Sequence, residues 1–147
     1  MVVATGVPSV PELIQAVLSA NADLIEAAPG GVMVGPASHE QQQLGCVALN
    51  QEGQGERVAA GIPLVRHRMA CRCLAPTGEV SETITRCITA CLHDKSRRVV
   101  MQPSTGEKFL VHYTAVTGGP TDTEAETAGI VENTLVIDAL VGTEVVA

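Results

Sequence analysis

The sequence predicts an α+β fold: a mostly antiparallel sheet with two amphipathic helices packed on one face. Three observations carry this. Within residues 77–95, Val80, Ile84, Cys87, Ile88, Cys91 and Leu92 recur at helical spacing and form one apolar stripe. Within residues 65–73 the pattern alternates instead: Val65, His67, Met69, Cys71 and Cys73 fall on one side, and Arg66, Arg68, Ala70 and Arg72 on the other. Short turns join most of the remaining strand candidates, which favours antiparallel neighbours.

The elements follow in order. Ser9 and Glu12 form an S-x-x-E capping box with Pro11 in the first turn, and Leu13, Ile14, Val17, Leu18, Leu24 and Ile25 continue at helical spacing. This predicts one helix over 10–27, stopped by Pro29-Gly30-Gly31. Strands are expected at 32–34 and 46–49, with a polar loop over 37–45 and a Gly-rich connection over 50–57. The alternating strand spans 62–74. The second helix, with Thr77 as its N-cap, follows a turn at 75–78. A hairpin of 98–102 and 107–116 comes next. Thr117-Gly118-Gly119-Pro120 is expected to break the second strand, and 129–141 forms the last one, with Leu135, Ile137 and Ala139 on its apolar face. The chain therefore reads as one domain over 1–147, with an acidic loop at 117–128 and a tail at 142–147 as appendages.

Composition narrows the function. The 147 residues carry a net charge of −7, which disfavours nonspecific nucleic-acid binding through the whole surface. Phe109 and Tyr113 are the entire aromatic content, so stacking platforms for bases or sugars are missing. No apolar run is long enough to span a membrane. The first residues lack a basic, then apolar, leader pattern, so synthesis in the cytosol is expected. Five cysteines at apolar periodic positions read as reduced core thiols.

Four constellations could carry chemistry. Cys71, Cys73, Cys87 and Cys91 could meet across a helix–sheet interface and hold zinc, but their spacings are not those of zinc knuckles, and all four occupy core positions. Cys91 and His93 stand two apart on a helix and face different directions, so they make no nucleophile–base pair. Arg66, Arg68 and Arg72 form a basic stripe. That stripe either grips phosphate or an acidic partner, or is a plain sheet face that is solvated or paired with Glu132 and Asp138 on a neighbouring strand. Asp122, Glu124 and Glu126 lie together in the acidic loop. No catalytic, cofactor-binding or metal-binding set stands out, and the chain reads as a non-enzyme.

With that order of elements, the chain resembles the tail terminator proteins of long-tailed bacteriophages across residues 9–141. The resemblance rests on the first helix (P-E-L-I-Q-A-V-L-S-A-N-A-D-L-I-E-A-A), the long alternating strand (V-R-H-R-M-A-C-R-C-L-A), the single mid-chain amphipathic helix (E-V-S-E-T-I-T-R-C-I-T-A-C-L) and the late strand (I-V-E-N-T-L-V-I-D-A-L). It implies a structural virion protein: a hexameric ring that caps the head-proximal end of the tail tube and meets the head–tail connector. DNA would pass through its lumen without specific binding, the subunit would assemble in the host cytoplasm and reside in the virion, and no membrane or cofactor is implied. Ring contacts join different faces of neighbouring copies. By charge, Arg66, Arg68 and Arg72 are expected to meet Asp122, Glu124 or Glu126 of the next copy. Another neck or head-completion protein is the near alternative. A small cytosolic Cys-rich metal-binding module is the alternative from a different class.

Overall fold

The computed structural model describes residues 5–51, 56–57, 61–124 and 128–147, with the backbone alone described at 51, 56–57 and 122–124. Along the chain lie α1 (Val10–Ser19), α2 (Ala22–Ala27), β1 (Val32–Val34), α3 (His39–Leu44), β2 (Cys46–Gln51), β3 (Glu56–Arg57), β4 (Leu64–Ala75), α4 (Gly78–Leu92), β5 (Lys95–Met101), β6 (Lys108–Glu124) and β7 (Val131–Val146). The strands form one sheet in the order β1-β2-β4-β7-β6-β5, with β3 paired to β4. Only β1 and β2 run parallel. The mixed, mainly antiparallel α+β architecture is the one the sequence predicts.

The alternation in β4 sets which face is buried. Met69, Cys71 and Cys73 point into the main core, and their partners across β7 are Ile137, Leu135 and Asn133. Helices α1, α2 and α4 cover this face with Leu13, Ile14, Leu18, Leu24, Ile84 and Ile88, all fully buried. Phe109 supplies the one large aromatic of the core. A smaller cluster of Cys46, Ala48, Leu74 and Ile130 lies on the opposite face.

Helix α1 contacts β1 at one end of the strand order and β5 at the other. The sheet therefore curls around it. On the β1 side, Gln15 Nε2 donates to the Val32 carbonyl at 3.0 Å. On the β5 side, the turn after β5 fixes the start of the helix. Gln102, 2% exposed, accepts from the Ser9 N–H at 2.7 Å. Glu12 accepts from the Ser104 N–H at 2.5 Å, and Glu107 accepts from the Gly6 N–H at 2.8 Å.

Four expectations are corrected. The helix expected over 10–27 is two helices, because Asn21 starts α2 by accepting from the Leu24 N–H at 3.0 Å. Ser9 is the N-cap of α1 but makes no side-chain cap, and Glu12 is drawn to Ser104 instead of closing a capping box. The expected loop over 37–45 contains α3, held by a true capping box between Ser38 and Gln41. Finally, 117–120 does not end a strand. Register shifts at 116–118 and 118–121 absorb the glycines and Pro120, and β6 runs on to Glu124 beside β7. Residues 117–124 and 142–146 are thus sheet, not appendages, because β7 offers a continuous partner along β6. Thr77 caps α4 as expected, accepting from the Val80 N–H at 3.3 Å.

Replacing Gln102 with Ala removes the acceptor for the Ser9 N–H and leaves that donor under-satisfied near the core. A loss of about 1–3 kcal/mol in denaturant-derived stability is expected. A change below about 0.3 kcal/mol would mean that the turn does not hold α1.

Candidate functional site

The basic stripe occupies the face of β4 that the helices leave uncovered. Arg68 stands directly across from Asp138 on β7, whereas Arg66 and Arg72 face Leu140 and Thr134. Each of the outer two reaches diagonally to a carboxylate two residues back along β7. Arg66 Nη2 lies 3.0 Å from Asp138 Oδ2, and Arg72 contacts Glu132 Oε1 through Nη2 at 2.5 Å and Nε at 2.6 Å. Arg68 Nε is 3.8 Å from Asp138 Oδ1, a buried oxygen with no hydrogen-bond partner among the described residues.

The carboxylates are deep and the arginines are not. Glu132 and Asp138 are buried, while the Arg66 and Arg68 side chains are 58% and 56% exposed. On the other side of β4, Glu56 of β3 stands across from Arg66 in backbone register, so the stripe has acidic residues on both neighbouring strands. Beside it, Arg66, Tyr113, Ala115, Thr117, Asp138 and Leu140 line an open concavity of about 370 Å³. The Tyr113 hydroxyl donates to Asp94 Oδ1 at 3.0 Å, and this bond to a carboxylate pushes its pKa up.

Of the two readings of the stripe, pairing with Glu132 and Asp138 is realised within the chain. Asp122 and Glu124 lie in the backbone register of β6, opposite Asn133 and Val131, with side chains outside the described residues. Glu126 lies outside the described residues altogether.

The cysteines do not gather. Cys71 and Cys73 are buried in the main core, Cys46 lies on the opposite face, and Cys87 and Cys91 sit half-buried on α4. Among the described residues, no three His, Cys, Asp or Glu side chains are placed to share a metal ion. A hydrogen bond with Cys71, reinforced by burial, raises the Cys73 thiol pKa, and burial pushes that of Cys46 up to about 11. His93 Nδ1 accepts from the Val116 N–H at 3.3 Å, so this ring is committed to the β6 backbone rather than to Cys91.

Sequence reasoning missed a polar link under α4. Ser81, fully buried, donates to the Cys73 carbonyl at 3.0 Å and accepts from Asn133 Nδ2 at 2.8 Å. The available signal was a pair of small polar residues at core positions of α4 and β7. His67 also lies on the core face of β4, with a buried Nδ1 that has no partner among the described residues. Burial lowers its pKa.

No family model matches the chain. No curated protein matches its sequence. Among solved structures, a chain from the virion of a native gene transfer agent (GTA) particle has the same fold. The TM-score is 0.64 at 12% sequence identity, covering 91% of this chain and 95% of that one.

Three measurements check this account. Arg72→Met strands the buried Glu132 carboxylate and is expected to cost about 3–5 kcal/mol, whereas Arg68→Met removes an exposed guanidinium at 3.8 Å and leaves Asp138 its closer contact with Arg66, so it costs at most about 1 kcal/mol. Equal losses in denaturant titrations would contradict the difference in burial. In native protein at pH 8, a thiol reagent is expected to label Cys87 and Cys91 well before Cys46 or Cys73, with mass spectrometry locating the sites. For His67, the folded pKa lies below the ordinary value of about 6.5, so the unfolded chain binds more protons in the window between them. Its stabilising contribution is present above the unfolded value and lost as pH falls through that window. His67→Leu should therefore flatten the fall in stability below about pH 6.5 relative to the wild type.

Proposed function

We propose that this chain is a structural protein of a phage-like virion. Its role is that of a tail terminator, a ring that caps the head-proximal end of the tail tube and joins it to the neck connector. The observation that carries the reading is the likeness in fold, over nearly the full length of both chains, to a component of the GTA virion. The role is one of assembly rather than catalysis.

The uncovered sheet face suits such a role. One layer of helices closes the core, leaving a firm surface of strands free for assembly. Arg66 and Arg68 are more than half exposed even while bound to Asp138, so they can meet an acidic segment of the next copy. Asp122, Glu124 and Glu126 are the candidates for that segment. The contact is heterologous, as a closed ring requires. With a net charge of −7, such a ring would not hold DNA in its lumen.

The test is reconstitution. Purified protein is added to polymerising tail-tube subunits from the same particle, and length and tips are read by negative-stain microscopy. A terminator gives short tubes with a ring at one tip, whereas tubes of unchanged length would exclude the role. A protein that binds only the portal or neck complex would belong to the head-completion class instead. Arg66→Glu with Arg68→Glu is expected to weaken ring formation at least tenfold, and unchanged assembly would remove the charge contact.

A further inference from the structure

Strand β5 ends the sheet. Its residues pair with β6 on one side, and the described residues supply no strand on the other. Toward its end, Val99 and Met101 are 55% and 53% exposed on either side of the buried Val100. Beside this edge runs an open groove of about 440 Å³, walled by residues 98–101 on the strand, Arg98 included, and by Ala16, Val17 and the C-cap Ala20 of α1. Small side chains on the helix leave room for an incoming backbone. Sheet edges of this kind are usually blunted by charge, proline or a bulge. Here Lys95 and Arg97 blunt only the first half, where Arg97 adopts a left-handed φ of 51°. The apolar half is left open.

Charge identifies the occupant. Arg66, Arg68, Arg72 and Arg86 each lie within ion-pair distance of a carboxylate. Arg98 donates to the Cys91 carbonyl at 2.6 Å. Lys95, Arg97 and Lys108 have no carboxylate partner among the described residues; Lys95 and Arg97 lie on β5 itself, and Lys108 lies on β6 directly across from Met101. Among the described residues, cations without a carboxylate partner thus lie on and beside the exposed apolar end of β5. We infer that the free edge of β5, with the groove beside α1, is a self-assembly surface that takes an extended, acidic segment of a second copy of this chain as an added strand. Main-chain hydrogen bonds would supply affinity, and Val99 and Met101 would supply the apolar contact. The inference rests on the reading of the chain as a self-assembling subunit.

The test is sedimentation equilibrium of the full chain over a concentration series at low and high salt. Four proteins are compared: wild type, Val99→Lys with Met101→Lys, Lys95→Glu with Arg97→Glu, and Ile25→Lys as a control on another exposed apolar residue. All substituted positions are exposed, so thermal melting should be unchanged and folding is checked directly. Wild type and control are expected to self-associate. The two edge variants should weaken association at least tenfold, and high salt should weaken that of the wild type. Three outcomes overturn the inference. If the edge variants associate like the wild type, the interface lies elsewhere and the terminator reading stands, to be judged by tube capping. If the wild type stays monomeric throughout, the edge does not bind a second copy. Retardation of a DNA duplex that is lost in Lys95→Glu with Arg97→Glu, without self-association, would assign the cations to nucleic acid and also overturn it.

Discussion

The concave face of the curled sheet can be closed only by a helix that reaches both of its margins, and α1 is that helix. Its apolar side lies on the core, Gln15 reaches the β1 backbone, and its first turn is fastened to the turn after β5 through Gln102, Glu12 and Glu107. The contacts to the turn after β5 join residues more than ninety positions apart in the chain. They fix the curvature of the sheet, and curvature decides which face is buried. Everything on the outer face, including the arginine stripe, is available because three helices are already committed to the inner one.

The outer face shows how a sheet carries charge without a covering layer. Glu132 and Asp138 lie low between neighbouring strands, where water is scarce. The longer arginine side chains arch over them and keep their outer atoms in solvent. Burying the carboxylates costs solvation, which the guanidinium groups offset through short contacts. A stripe that looks like a binding site in one dimension therefore has a structural duty first. The solvent-exposed edges of its guanidinium groups are what remains for a partner.

Sequence periodicity was a sound guide wherever one face of an element is buried. The alternation of β4 and the stripe of α4 both reappear, because each residue's side follows from the geometry of strand and helix. It was a poor guide where burial does not speak. Helix α3 buries no side chain, so only Ser38 and Gln41 betrayed it, and that S-x-x-Q signal lay inside a run that reads as loop. The same local rule misled at Ser9 and Glu12, where a distant turn competes for both residues and wins. At Gly118 to Pro120 the punctuation was read as an end, yet cross-strand pairing on β7 outweighs it. Pairing of the arginines with Glu132 and Asp138 was open from the sequence as one of two readings, and strand register decided it.

The distribution of charge follows from the same architecture. The arginines at the centre of the sheet have carboxylates within reach because β4 pairs with β7 along its whole length, which places Asp138 directly across from Arg68, and Asp138 and Glu132 diagonally from Arg66 and Arg72. At the β5 margin there is a neighbour on one side only, and Lys95 and Arg97 there have no carboxylate partner among the described residues. Cations that are neutralised at the centre and uncompensated at the rim make the rim the place where an acidic chain is attracted. A margin that combines this attraction with open backbone and exposed Val99 and Met101 has three reasons to be covered. The central stripe offers only its exposed guanidinium groups, whose attraction salt screens readily. In an assembly of such subunits, the rim is therefore suited to supply affinity and the stripe to supply register.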